Sequence, residues 1–252
     1  MCCFTISATS LRATANMIHA AINVCICFKF CIIDKTVTRE GLNMTELFYN
    51  GHGSWRLTTN SENVIYIDPC SGSGYDLPAN AVLVTHEHPD HNVVDKMSHA
   101  SGCTVLRPAD FQPSCGNYKQ FDICGIHIQP VQAGFNKDHD VAKCVGLVID
   151  VDGARVYFTG DTSMTDDMRC GKLAEMNIDY ALFSCDGFFN MDVEEAIECA
   201  KLVKAKHNIP EHMVPMFDTN DQSNLFSEDV AKRFQVEGRL VVRPGASIKL
   251  DA

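Results

Sequence analysis

From residue 44 onward, short runs of aliphatic, β-branched and aromatic residues alternate with punctuation rich in Gly, Asn and Asp. Residues 55–59 and 64–68 flank the polar stretch Asn60-Ser61-Glu62-Asn63, and residues 145–151 and 154–159 flank Asp152-Gly153. Both patterns predict hairpins, because Asn, Asp and Gly tolerate the backbone angles of tight reversals. Ala81-Val82-Leu83-Val84-Thr85 has the length and branching of a buried strand, residues 206–209 read as another, and residues 240–243 as the last. Helical spacing enters later. Asp192 with Glu195 forms a capping-box signature, after which Val193, Ala196, Ile197, Ala200 and Val203 share one face. That stripe is core to be packed on a sheet. Ser227 is placed to cap a short helix carrying Val230 and Phe234.

Residues 1–43 do not share this pattern. They contain Cys2, Cys3, Cys25, Cys27 and Cys31 and an apolar stretch over 17–33 that His19, Asn23 and Lys29 interrupt. The stretch is short and broken for a spanning helix, and no small-x-small cleavage pattern follows it. The expectation is an N-terminal extension outside the fold, with one domain over 44–252 opening at Met44-Thr45-Glu46-Leu47-Phe48-Tyr49. A chain of 252 residues, 46% apolar, can bury one sizeable core.

The densest chemistry follows the 81–85 strand. His86-Glu87-His88-Pro89-Asp90-His91 places four nitrogen or oxygen donors in six positions, the donor types that zinc and related first-row cations take. His86 and His88 can face one ion, and Asp90 and His91 a second, an arrangement suited to two-metal activation of a water. Six residues cannot wrap two ions, so further donors must arrive from elsewhere. His139, Asp161 and His212 each lie beside a predicted strand end, where sheet scaffolds commonly carry functional groups. His52 is a candidate for orienting a ligand or lining the site. His19, His99, His127 and His207 have no partner at ligand spacing.

Taken in order, these blocks resemble the metallo-β-lactamase fold superfamily, in particular its short branch similar to ascorbate-6-phosphate lactonase. Phe48-Tyr49-Asn50-Gly51-His52-Gly53 resembles the opening Gly-His segment, and Val64-Ile65-Tyr66-Ile67-Asp68-Pro69 the second strand with its Asp-Pro end. Val156-Tyr157-Phe158-Thr159-Gly160-Asp161-Thr162 resembles the strand that ends in Gly-Asp-Thr, and Ile209-Pro210-Glu211-His212 the late Ile-Pro-x-His. The resemblance implies an α+β fold, a four-layer αββα sandwich. It further implies two divalent metal ions, zinc in first place with manganese accommodated by the same donors. His86, His88 and His139 would hold one, Asp90, His91 and His212 the other, and Asp161 would be shared. The implied activity is metal-dependent hydrolysis of an ester, lactone, amide or phosphoester bond, with Asp90 orienting a hydroxide held between the metals. An iron-dependent oxidoreductase on the same fold and a non-catalytic metal-binding scaffold stay open. Members that reduce oxygen at a di-iron centre carry Glu at the position of His88, which favours hydrolysis here.

Charge and thiols narrow the setting. Lys and Arg number 21 against 32 Asp and Glu, a net charge of −11, which disfavours nucleic acid as a partner. The expected partner is a small-molecule substrate, with no nucleic acid and no membrane; a homo-oligomer is compatible. Thirteen irregularly spaced cysteines fit reduced thiols in a cytoplasmic protein better than a disulfide framework. Substrate choice is expected in the loops 71–78, 135–140, 184–191 and 213–224, where Phe188 and Phe189 either line the pocket or anchor a loop. A small substrate, phosphorylated or sugar-derived, is the expectation by similarity.

Overall fold

The computed structural model describes residues 44–223 and 225–251. A first sheet is laid down by β1 (Glu46–Gly51), β2 (Ser54–Thr58), β3 (Val64–Ile67), β4 (Ala79–Leu83) and β5 (His99–Leu106). After a one-turn helix α1 (Pro108–Phe111), the second sheet follows as β6 (Phe121–Ile123), β7 (Ile126–Gln132), β8 (Val145–Val151) and β9 (Ala154–Phe158). Short helices α2 (Asp166–Arg169) and α3 (Lys172–Glu175) lead to β10 (Tyr180–Ser184), and α4 (Val193–Val203) leads to β11 (His207–Glu211). The chain closes with α5 (Glu228–Arg233) and β12 (Ser247–Lys249), which returns to the first sheet beside β1. The strand orders are β12-β1-β2-β3-β4-β5 and β11-β10-β9-β8-β7-β6.

Both predicted hairpins form. β2 and β3 pair antiparallel from Trp55 opposite Ile67 to Thr58 opposite Val64. β8 and β9 close at Val151 opposite Ala154, with Asp152 at φ 48° and Gly153 at φ 94°, the two positive angles a two-residue reversal needs. Alternation along the strands then separates two faces. Leu47, Tyr49, Trp55, Leu57, Ile65 and Ile67 from the first sheet meet Ile128, Leu147, Ile149, Val156, Phe158 and Leu182 from the second in one buried cluster. Burying each such side chain is worth about 1.5–3 kcal/mol before entropy is counted, so a one-residue slip in register would be prohibitive.

The alternate residues Val148, Tyr157, Ala181 and Phe183 face outward, where Met168, Leu173 and the predicted stripe of α4 cover them. The α+β sandwich expected from the sequence is therefore present, with an uneven helical layer. Among the described residues, the outer face of the first sheet is covered at Tyr66 and Val82 by Met97, Tyr75, Leu77 and Val94 from loop segments. The predicted capping box is half made. Asp192 accepts the Glu195 amide (2.8 Å), but the Glu195 carboxylate turns away to accept the Met164 amide (2.9 Å).

Residues 240–243 do not form the last strand; that is β12. Leu240 packs on the inter-sheet core and Val241 on the helical side, and the backbone meets β11 in an isolated bridge, Arg239 opposite Asn208, with the Leu240 amide donating to Asn208 O (2.9 Å). Apolar alternation reports two-sided burial, which here occurs without a ladder. The expectations for residues 1–43, including the cysteine group and the 17–33 stretch, lie outside the described residues. No described helix is long and apolar enough to cross a membrane.

Candidate metal centre

Parallel pairing decides where the chemistry collects. β3, β4 and β5 run parallel in the first sheet, and β9, β10 and β11 in the second, so their C-terminal ends share an edge. Asp68 follows β3, the hexad follows β4, Asp161 follows β9, Asp186 follows β10 and His212 follows β11. His139 sits in the β7–β8 connection, whose end meets the same edge because Leu147 pairs with Phe158. The two edges are tied together. Thr85 O accepts the Val145 amide (3.0 Å), and His52 O accepts the His212 amide (2.9 Å). Gly160, at φ 59°, passes so near Thr85 that an added Cβ would lie 3.1 Å from its side chain.

All seven sequence-predicted residues converge. The Asp161 carboxylate lies 3.8 Å from His86 Nε2, 3.3 Å from His139 Nε2, 3.4 Å from His91 Nε2 and 3.4 Å from His212 Nε2. His86, His88 and His139 form one group of donor atoms close enough to share an ion, and Asp90, His91 and His212 with His52 form another. The first group has His88 on its exposed side, with ring centroids 4.6 Å from His86 and 4.7 Å from His139.

The donor set fits cations. Nε2 of His86, His91, His139 and His212 and Oδ1 of Asp161 are buried and make no hydrogen bond. Leaving one buried polar group unsatisfied costs about 1–3 kcal/mol, so five orphans around one point mark a place built for another partner. Proton distribution tells the same story. Burial disfavours charge on Asp90 and Asp161, yet the imidazoliums of His91 and His212 hold both carboxyls far below the usual range. Burial likewise opposes charge on His91 and His212, but Asp161 and Asp90 raise His91 to about 9 and, with Asp186, raise His212 well above its ordinary value. The carboxylates thus attract positive charge into the cluster, which divalent cations also supply. His86 is pushed well down by burial and the charge of His91, leaving a neutral donor nitrogen.

Several partners escaped the sequence reading. Asp68 takes the Thr85 amide (2.7 Å) and hydroxyl (2.6 Å) on its carboxylate, which also lies 3.0 Å from His91 Nδ1. Asp186 lies 3.0 Å from His212 Nδ1, and Asn136 Oδ1 lies 2.9 Å from His139 Nδ1. Asn190 donates to Asp161 (3.0 Å) and to Asp186 (2.7 Å). These contacts orient each imidazole so that the opposite nitrogen faces the cluster. Asp68 had a signal, the Asp-Pro strand end; Asp186, Asn136 and Asn190 had none, being loop residues among many polar ones. Glu211 is fully buried and paired with Trp55 Nε1, and burial raises its carboxyl to about 8. His52 is also buried, at φ 56°, with its ring 3.6 Å from that of His212 and Nε2 3.2 Å from Asp90 Oδ2; burial drives it down to about 4. His99, His127 and His207 lie elsewhere, bonding or stacking on Val94, Asp122 and Tyr180.

A cavity of 390 Å³ opens beside the cluster, with His88, Asp90, His139 and Asp161 on its inner side and Phe189 and Phe217 on its wall. Of the four loops expected to shape it, three do so. Residues 71–78 instead cover the outer face of the first sheet through Tyr75 and Leu77, and reach the 213–224 loop where Ser71 Oγ meets Met216 Sδ (3.9 Å) and Gly72 N donates to Gln222 (2.8 Å).

With this geometry in view, comparison with known proteins is direct. The beta-lactamase superfamily domain matches residues 46–212, so the chain belongs to that family, and its class is that of the metal-dependent hydrolases. It is 27% identical over 229 residues to a metal-dependent hydrolase of Natranaerobius thermophilus, a match spanning 82% of this chain and 100% of that protein. Among solved structures, a metallo hydrolase from Ignicoccus hospitalis superposes with a TM-score of 0.61 at 18% identity, over 83% of this chain and 99% of the other. A diiron β-hydroxylase from Streptomyces venezuelae also shares the fold, with a TM-score of 0.54 at 12% identity, over 82% of this chain and 54% of its own.

Proposed function

We propose that the protein hydrolyses an ester, lactone, amide or phosphoester bond in a small molecule with two divalent cations, zinc in first place and manganese in second. His86, His88 and His139 hold one, Asp90, His91 and His212 the other, and Asp161 is shared. The observation that carries this reading is the convergence of four buried, unbonded imidazole nitrogens on one buried carboxylate. Bound cations supply Lewis acidity, which makes water nucleophilic near neutral pH and polarises the oxygen of the electrophile.

The chain's own residues position the rest. Asp90 is the more open of the two central carboxylates, its side chain 15% exposed against 3% for Asp161, and it faces the cavity. His52 Nε2 fixes its Oδ2 from behind, so the carboxylate can accept a hydrogen bond from an attacking water and orient it. The His91 and His212 imidazoliums hold the Asp90 carboxyl far below the usual carboxylate range against the effect of burial, so it stays ionised and can only accept. Asp68, Asp186 and Asn136 hold the imidazoles, and the cavity size suits a small substrate rather than a polymer.

One observation favours a redox reading, the diiron β-hydroxylase that shares the fold. Against it stands His88, an imidazole at the position where oxygen-reducing members carry Glu. A cytoplasmic setting is supported by eight described cysteines that are free thiols, and the −11 net charge argues against a nucleic-acid substrate. Plasma mass spectrometry of the full chain purified without added metal tests the proposal. About two equivalents of zinc or manganese are expected; iron would transfer the argument to oxidation, and no metal would leave a scaffold.

A further inference from the structure

Among the described residues, the large hydrophobic side chains left exposed are Met44, Val93, Phe188 at 51% and Phe217 at 74%. The last two are neighbours. Phe188, Phe189 and Phe217 form a closed aromatic trio with ring centroids 4.7, 5.2 and 5.3 Å apart, although they come from loops almost thirty positions apart in sequence. Phe189 and Phe217 line the cavity beside the histidine cluster, and Phe188 packs on both of them and extends the aromatic surface outward. Phe188 and Phe217 gain little from burial beyond their contacts with one another and with the half-buried Phe189, so the trio leaves an apolar surface that a solvent-facing loop does not require.

Its position is fixed with care. Asp186 Oδ1 accepts the amides of Phe188 (2.7 Å) and Phe189 (2.7 Å), while its Oδ2 lies 3.0 Å from His212 Nδ1. One carboxylate therefore sets both the aromatic loop and a proposed metal ligand. The charge around the cavity is equally informative. Among the described residues no Lys or Arg lines it, and Lys137, whose Nζ lies 5.2 Å from the Phe188 ring centroid, is paired with Asp138 (3.8 Å). A phosphate or other anionic group remote from the reacting bond would find carboxylates there and no unpaired cation.

We infer that the trio is the subsite for an apolar arm of the substrate, an aryl or medium-length alkyl substituent on the acyl side of the cleaved bond. This deepens the proposed hydrolase function and rests on it, and it differs from the phosphorylated or sugar-derived substrate expected by similarity. The acyl end would sit at the histidine cluster and its substituent against Phe189 and Phe217.

Binding and turnover test it separately. The binding arm uses acetate and 4-phenylbutyrate as product-like probes, titrated calorimetrically into the metal-loaded full chain and into the Phe188→Ser/Phe217→Ser variant. The wild-type protein should prefer phenylbutyrate by about tenfold or more, the scale of partly burying one phenyl ring. The variant, whose substituted side chains are exposed and so leave the core intact, should bring the two affinities to within about twofold, with unchanged metal content as the control. Equal binding of both probes by the wild type, or a preference that survives in the variant, would overturn the subsite. The turnover arm compares p-nitrophenyl acetate with p-nitrophenyl 4-phenylbutyrate and expects the kcat/KM ratio to follow the binding preference. Turnover without preference would remove the subsite and leave the hydrolase, whereas binding preference without turnover of any ester, lactone, amide or phosphoester would keep the subsite and remove the hydrolase.

Discussion

Asp186 and His212 are joined by a 3.0 Å contact between Oδ2 and Nδ1, made across two strand ends that are 26 positions apart in sequence. The same carboxylate receives Asn190, which also donates to Asp161, so the contact connects one orienting group to the centre of the cluster. Replacing Asp186 by Ala should free the His212 ring to rotate and weaken cation binding by about 10–100-fold, the usual scale for losing such a partner. Competition with a fluorescent chelator measures it. Unaltered affinity would show that His212 is oriented by other contacts.

Asp161 carries the most connections, so Asp161→Asn is the sharpest change at constant shape. It removes the negative charge that four imidazoles face and should leave less than one equivalent of cation bound, with hydrolysis lost. A variant that retains both metal and activity would show the shared-ligand assignment to be wrong. Chelation of the wild-type protein should lower Tm for the same reason, since ligand removal withdraws binding free energy from the folded state alone.

Gly53 bears on the site through space. A Cβ there would lie 2.7 Å from His91 Cε1 and 3.4 Å from His212 Cδ2. Gly53→Ala should therefore displace His91 and reduce metal affinity while the far-ultraviolet circular dichroism stays that of the wild type. A variant with wild-type affinity would mean the loop yields instead.

Glu211 gives a pH prediction for the metal-free protein. Burial raises its folded carboxyl from 4.5 to about 8, while the unfolded chain keeps the ordinary value. Its stabilising contribution is thus complete below about pH 4.5 and is lost as pH rises toward 8, because the unfolded state releases a proton that the folded state retains. The loss is on the order of a few kcal/mol. Glu211→Gln keeps an oxygen for Trp55 Nε1 and cannot ionise, so its Tm should fall less between pH 5 and pH 8 in excess chelator. Parallel curves for the two proteins would refute the argument.

Thiol chemistry follows burial. Cys115 and Cys170 are exposed, whereas Cys185 and Cys199 are buried, and burial pushes the Cys199 thiol up to about 12. Iodoacetamide at pH 8 should label Cys115 and Cys170 in the folded protein and reach Cys185 and Cys199 only after denaturation. Peptide mapping reads the outcome, and early labelling of Cys199 would contradict the packing of α4.

Local signals determined much of this protein. Alternation and turn residues specified both hairpins, helical spacing specified α4, and the dense hexad with Gly-Asp-Thr and Ile-Pro-x-His specified six of the seven residues that meet at one point, His139 being placed by its position ahead of the 145–151 strand. These are short-range patterns, legible because strand period, turn angle and donor type are properties of neighbouring residues. Tertiary structure decided the rest. Whether residues 240–243 paired or merely packed depended on which edge was free beside β11, and the final strand was Ser247–Lys249 because β1 offered one. Asp68 and Asp186 became orienting groups only when parallel strands brought their ends together, Asn136 only when the antiparallel β7–β8 connection reached the same edge, and Phe188, Phe189 and Phe217 became one surface only when two distant loops met. A carboxylate or an aromatic ring carries no mark in sequence of the partner it will face, since that partner is set by long-range strand pairing rather than by adjacent residues.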